Sequence, residues 1–152
     1  MKESRTTKLL QELEAIPKNN SAYQAFLKKH KDKNNFSSLQ DYLNYCISQD
    51  ESLTISDIVF RSNLSANYVY QILNGKRKHP SKYILVALCI GTHMDLKSTR
   101  RALTLAGCST LDPKNDADAG IIICINNGCN SVMEVEEFLL ESNVESPFPS
   151  SK

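Results

Sequence analysis

The stretch "ISDIVFRSNLSANYVYQILNGKRKHPSKY", residues 55–83, decides how the rest of the chain is read. Ile55, Ile58 and Val59 recur at helical spacing, with Phe60 as a further inward candidate. Thr54 stands where a side-chain cap belongs, and Asp57 three residues on can answer it. The pattern stops at Ser62-Asn63-Leu64, where Asn63 tolerates the left-handed backbone that ends many helices. Ser65 then caps a second helix whose Val69, Ile72 and Leu73 face inward, and Gly75 ends it. Two short helices around a tight turn are thus followed by three consecutive cations, Lys76-Arg77-Lys78.

Helical signals continue on both sides. Upstream, Ser38-x-x-Asp41 caps "LQDYLNYCIS", in which Leu39, Tyr42, Leu43, Cys46 and Ile47 share a face. Before the polar joint "KDKNN", "TTKLLQELEAI" aligns Leu9, Leu10, Leu13 and Ile16. "SAYQAFLKKH" opens there with a Ser21-x-x-Gln24 capping box and turns Ala22 and Phe26 inward. Downstream, Ser81 caps "KYILVALCIG", which is apolar nearly all round and so reads as the central buried helix. Asp95 caps "LKSTRRALTLAG", closing at Gly107. "DPKNDADAGIIICINNG" is ambiguous, since its isoleucines favour a strand. Asp112-Pro113 as cap and first turn, Asn127-Gly128 as stop and the lack of a partner strand favour a buried helix. Ser131-x-x-Glu134 opens a last helix with Val132, Val135, Phe138 and Leu139 inward, and "VESPFPSSK" reads as a frayed tail.

The expected architecture is therefore all-α. Residues 1–37 form an N-terminal helical segment, 38–107 a five-helix domain, 108–143 a helical hairpin extension and 144–152 a flexible tail. At 152 residues the chain is long enough to bury a core without metals or disulfides. No apolar run approaches a membrane span, and charges interrupt the N-terminus where a signal peptide would be apolar, so a cytoplasmic protein is expected. Five cysteines (Cys46, Cys89, Cys108, Cys124, Cys129) suit that compartment as reduced small hydrophobes. Their odd count argues against a disulfide framework. With no Cys-x-x-Cys pair and no nearby His, neither a metal nor any other cofactor is expected. Catalysis is not expected either, because no nucleophile–His–carboxylate spacing and no Gly-rich phosphate cradle is visible.

Charge is distributed unevenly. Residues 58–94 hold Arg61, Lys76, Arg77, Lys78 and Lys82 and no acid, a net +5, whereas residues 112–152 carry −6. A basic middle suits a polyanionic partner.

The segment "LTISDIVFRSNLSANYVYQILNGKRKHP" resembles the lambda repressor-like, Cro-type (XRE) helix-turn-helix family over roughly residues 38–107. Its apolar framework is Ile58, Val59, Leu64, Val69 and Ile72, with the basic exit and a buried fourth helix following. The resemblance implies a sequence-specific DNA-binding transcriptional regulator, with the helix capped by Ser65 lying in the major groove of double-stranded DNA. Its base-facing side chains would be Ala66, Asn67, Tyr70 and Gln71, and either amide can pair with adenine. Tyr68 would be packed. Thr54, Ser65, Asn74, Lys76, Arg77, Lys78, Ser81 and Lys82 would lie along phosphates or at helix ends that face them. A homodimer would follow, since such regulators read half-sites symmetrically.

Two features point elsewhere. Ile55 stands where the family commonly has a glutamine braced against phosphate, and residues 66–73 contain no Arg or Lys. These motivate an alternative, a protein-interaction adaptor or anti-regulator that keeps the repressor-like fold. A further reading has residues 112–152, acidic overall, fold back on the basic face and compete with DNA.

Overall fold

A computed structural model describes residues 5–29, 36 and 38–149; the joint at 31–35, His30 and the last three residues lie outside them. Among the described residues the fold is all-helical, with nine helices and no strand. The chain divides into two compact units, Met1–Asn35 and Phe36–Lys152.

The first unit contains α1 (Arg5–Glu14) and α2 (Asn20–Lys29). Lys29 Nζ and Glu12 Oε1 tie them at 2.8 Å. Its apolar stripe differs from the expectation: Leu9 and Ile16 are half-buried, but Leu10 and Leu13 are exposed. A pair of ten-residue helices has too little surface to cover all four aliphatic side chains, of which Ile16 lies beyond the end of α1. The cap of α2 is also not Ser21. Asn19 Oδ1 accepts from the Ala22 amide at 2.7 Å, so the helix begins two residues earlier than a Ser21 cap allows.

The second unit is built on α3 (Leu39–Ser48), α4 (Ile55–Ser62), α5 (Ala66–Leu73), α6 (Lys82–Gly91), α7 (Leu96–Leu105), α8 (Asp116–Asn126) and α9 (Val132–Glu141). Helix α6 is its axis, with every residue from Leu85 to Gly91 buried. Helix α4 crosses it most intimately, α7 and α9 lean on it as well, and α3 packs on α5 and α7. Leu43, Ile58, Val69, Ile72, Leu85 and Leu103 are all essentially inaccessible and form a core drawn from five helices. The C-terminal hairpin α8–α9 belongs to this unit: α9 packs on α4 and α6, and α8 on α7.

Most helix starts are set by the anticipated residues. Ser38, Thr54, Ser65, Asp95 and Ser131 each accept an amide of the first turn through the side chain. Ser81 is the exception: it occupies the cap position of α6 without a side-chain cap bond. Asp112 and Pro113 do not open α8 either. Asp112 Oδ1 accepts from the Lys114 amide in a local turn, and Asn115 caps the helix through the Asp118 amide. The isoleucine run 121–123 is helical, and its stop at Asn127-Gly128 is as expected, with Gly128 at φ +72°.

Two side chains of this unit expected inside are not. Phe60 is 75% exposed. It lies two residues from buried Ile58, about 200° round the helix axis, and so faces the other way. Phe138 is likewise exposed at its edge, because Val135 and Leu139 fill the space beneath α9. Conversely, the tail is docked rather than frayed through residue 149. Phe148 is buried, its ring set edge-on to Tyr83 at 6.3 Å, and Ser146 Oγ donates to Glu136 at 2.8 Å. Among the described residues no helix is long and apolar enough to cross a membrane.

Candidate nucleic-acid interface

The turn between α4 and α5 is held by short-range bonds that the sequence already signals. Thr54 Oγ1 accepts from the Asp57 amide at 3.1 Å, and Asp57 Oδ2 accepts from the Thr54 amide at 3.3 Å, a complete capping box. The Thr54 hydroxyl and amide together hold the Asp57 carboxyl below the usual carboxylate value. At the far end Asn63 takes φ +59°, and buried Ser62 Oγ accepts from the Leu64 amide at 3.3 Å. Ser65 Oγ then accepts from the Tyr68 amide at 3.1 Å and starts α5. Both capping hydroxyls are exposed, and each keeps its own proton for an outside acceptor.

Helix α5 packs chiefly on α3 and α4 through Val69, Ile72 and Leu73. Its C-terminal end is tied to α3 by Asn44, whose Nδ2 donates to the Leu73 carbonyl at 3.0 Å and the Gln40 carbonyl at 2.8 Å. One side is left open: Ala66, Asn67, Tyr70 and Asn74 are exposed, Tyr70 by 53%, and Gln71 is half-buried at the border. Four of the expected base-facing or backbone-facing residues of this helix therefore share one uncovered surface. Ile55 is half-buried and packed against the core, so it presents no isolated apolar spot at the start of α4.

The loop after α5 folds back on the helix. Gly75, at φ +83°, makes the turn, and the Arg77 amide donates to the Gln71 carbonyl at 2.9 Å. Asn74 Oδ1 accepts from the Lys76 amide at 2.9 Å. Arg77 Nε donates to Gln71 Oε1 at 3.1 Å, and its guanidinium lies 4.1 Å from the centre of the half-buried Tyr68 ring. Lys76, Arg77 and Lys78 are all exposed, and none has a carboxylate within ion-pair distance among the described residues. His79 anchors the exit, its Nδ1 3.1 Å from the Ala106 carbonyl.

Lys82 departs from the expectation that grouped it with these cations. Its ammonium sits 2.8 Å from Asp118 Oδ2, with the side chains 19% and 1% exposed, and is committed to the protein interior. Tyr83 Oη donates to Asp118 Oδ1 at 2.8 Å, and the Asp112 amide donates to Oδ2 at 2.9 Å. Burial pushes the Asp118 carboxyl up, but the Asp112 amide, Lys82 and Tyr83 outweigh it and hold the carboxyl below its usual value. Burial and the neighbouring carboxylate push the Tyr83 hydroxyl up to about 12, so it remains a donor. Ser81 is exposed beside this cluster, its hydroxyl free of capping duty.

Sequence reasoning missed the Arg77–Tyr68–Gln71 arrangement and the Asp118 cluster. Helical spacing puts Tyr68 and Gln71 on one side of α5, but nothing local says that a loop residue will return to them. All five cysteines are free, and burial pushes the wholly enclosed Cys89 thiol up, which keeps it unreactive. Among the described residues, no group of three His, Cys, Asp or Glu side chains is placed to hold a metal ion. No family model, curated protein or solved structure matches this chain.

Proposed function

We propose that the protein is a sequence-specific, double-stranded DNA-binding transcriptional regulator of lambda repressor-like architecture, acting as a homodimer. The observation that carries this reading is an uncovered face of α5 (Ala66, Asn67, Tyr70, Asn74) followed by three exposed cations at 76–78. Laid in a major groove, α5 brings amides to base edges. The α5 N-terminus and the basic loop then meet phosphates on either side. Thr54, Ser65 and Ser81 offer exposed hydroxyls to the same backbone, while Lys82 is removed from the set by Asp118.

Each phosphate-facing cation adds roughly −0.9 to the log–log salt slope, so Lys76 and Lys78 alone give about −1.8 per subunit. Selection of bound duplexes from a random library, followed by titration across salt, measures both sequence preference and slope. A palindromic consensus supports dimeric reading. Absence of binding at low salt, or indifference to alanine at all three loop cations, overturns the proposal.

A second reading, a protein-interaction adaptor or anti-regulator, draws on exposed apolar side chains away from α5, chiefly Phe60 and Leu140, each 75% exposed. A stoichiometric protein partner that survives nuclease treatment and is lost in Phe60→Ser would favour it.

A further inference from the structure

We infer that Arg77 reads a guanine base rather than gripping phosphate, and that Tyr68 and Gln71 are the residues that position it. The inference rests on the DNA-binding proposal and refines it. Residues 66–73 contain no Arg or Lys, so the commonest guanine contact is missing from the helix itself. The fold supplies a guanidinium from outside it.

Arg77 is held at three points. Its amide donates to the Gln71 carbonyl at 2.9 Å, its Nε to Gln71 Oε1 at 3.1 Å, and its guanidinium carbon lies over the Tyr68 ring, 4.1 Å from the centroid. Lys76 and Lys78 have no such side-chain bracing, as mobile phosphate contacts require none. The bond to Gln71 uses the inner Nε–H and leaves the two terminal nitrogens, which form the fork that matches guanine O6 and N7. Cation–π stacking holds that plane and offsets part of the side-chain entropy otherwise lost on binding. The Nε bond to Gln71 Oε1 carries the fork beside the Gln71 amide at the border of the uncovered face. Gln71 in turn points its oxygen at Arg77, which leaves its amide N–H groups as donors to a neighbouring base acceptor.

The test compares three folded variants, their folding checked by thermal melting, on the selected duplex and on the same duplex with each guanine changed to adenine. Arg77→Met should lower the preference for one guanine per half-site by about tenfold or more. Lys76→Met should instead weaken both duplexes equally and reduce the salt slope by about one. Tyr68→Leu, which keeps an apolar side chain but removes the ring face, should lose part of the same guanine preference with Arg77 still present. Replacing that guanine by 7-deazaguanine should weaken the wild-type protein and leave Arg77→Met unmoved. If wild type binds a consensus whose guanines are read as well by Arg77→Met, the inference is wrong and the DNA-binding proposal stands. If wild type binds no duplex at low salt, both fall.

Discussion

Gly91 marks a close backbone approach of α6 to α4. A Cβ built on it would lie 2.9 Å from the Ile58 carbonyl oxygen, 3.0 Å from Ser62 Cβ and 3.1 Å from the Ser62 amide nitrogen. Two of those three atoms are backbone, so the contact cannot be relieved by a rotamer change. Gly91→Ala is expected to destabilise the protein by about 1–3 kcal/mol, despite alanine's better helix propensity, because α4 must move off α6. Urea unfolding with an unchanged m-value and a lower midpoint would show it. A stability gain would mean that the crossing has slack. The sequence presents Gly91 as the end of an apolar helix. That it is a crossing point depends on which helix lies across it, and no local pattern records that.

Helices α6 and α8 are joined by one buried carboxylate. Asp118 accepts from Lys82, Tyr83 and the Asp112 amide, and its 1% exposed side chain has no access to compensating water. Asp118→Ala would leave two side-chain donors and an amide without a partner, and is expected to cost about 2–4 kcal/mol. The pH dependence follows from the depressed carboxyl. Its contribution is complete above the ordinary carboxylate value and is lost as pH falls through the lower value it has in the fold. The stability difference between wild type and Asp118→Ala should therefore be flat near neutrality and close only in strong acid. Unfolding of both proteins between about pH 7 and about pH 2 measures this. A difference that closes well above the ordinary carboxylate range would contradict the assigned direction. The helices themselves were readable from their apolar runs, although Ser81 makes no side-chain cap bond and Asn115 rather than Asp112 opens α8. Asp118 was readable only as one more charge in an acidic segment, since its partners lie 35 and 36 positions away.

Across the molecule, the C-terminal segment acts as part of the core rather than as a competitor for the basic face. Val132, Val135 and Leu139 of α9 are buried, as are Ile121 of α8 and Phe148 beyond it. Removing residues 112–152 would uncover the α4 and α6 surfaces that α9 protects. The expected outcome is loss of cooperative thermal unfolding and concentration-dependent aggregation, seen by circular dichroism and light scattering. An intact melt with tighter DNA binding would restore the autoinhibitory reading.

What the sequence determined by itself was local. Thr54, Asn63, Ser65, Asp95 and Ser131 place helix ends because a cap needs only neighbours three or four residues away, and apolar spacing shows which face of a helix seeks cover. What covers that face is a long-range matter. Leu9, Leu10, Leu13 and Ile16 read as one stripe, of which Leu10 and Leu13 stay exposed. Phe148 lies in a segment with every mark of a tail and is buried. The basic run was visible as charge, but only the tertiary structure separated its members. Lys82 met a carboxylate brought from α8, Arg77 met an aromatic ring and an amide on α5, and Lys76 and Lys78 met solvent. A cation's role depends on which groups the rest of the chain brings within a few ångströms of it.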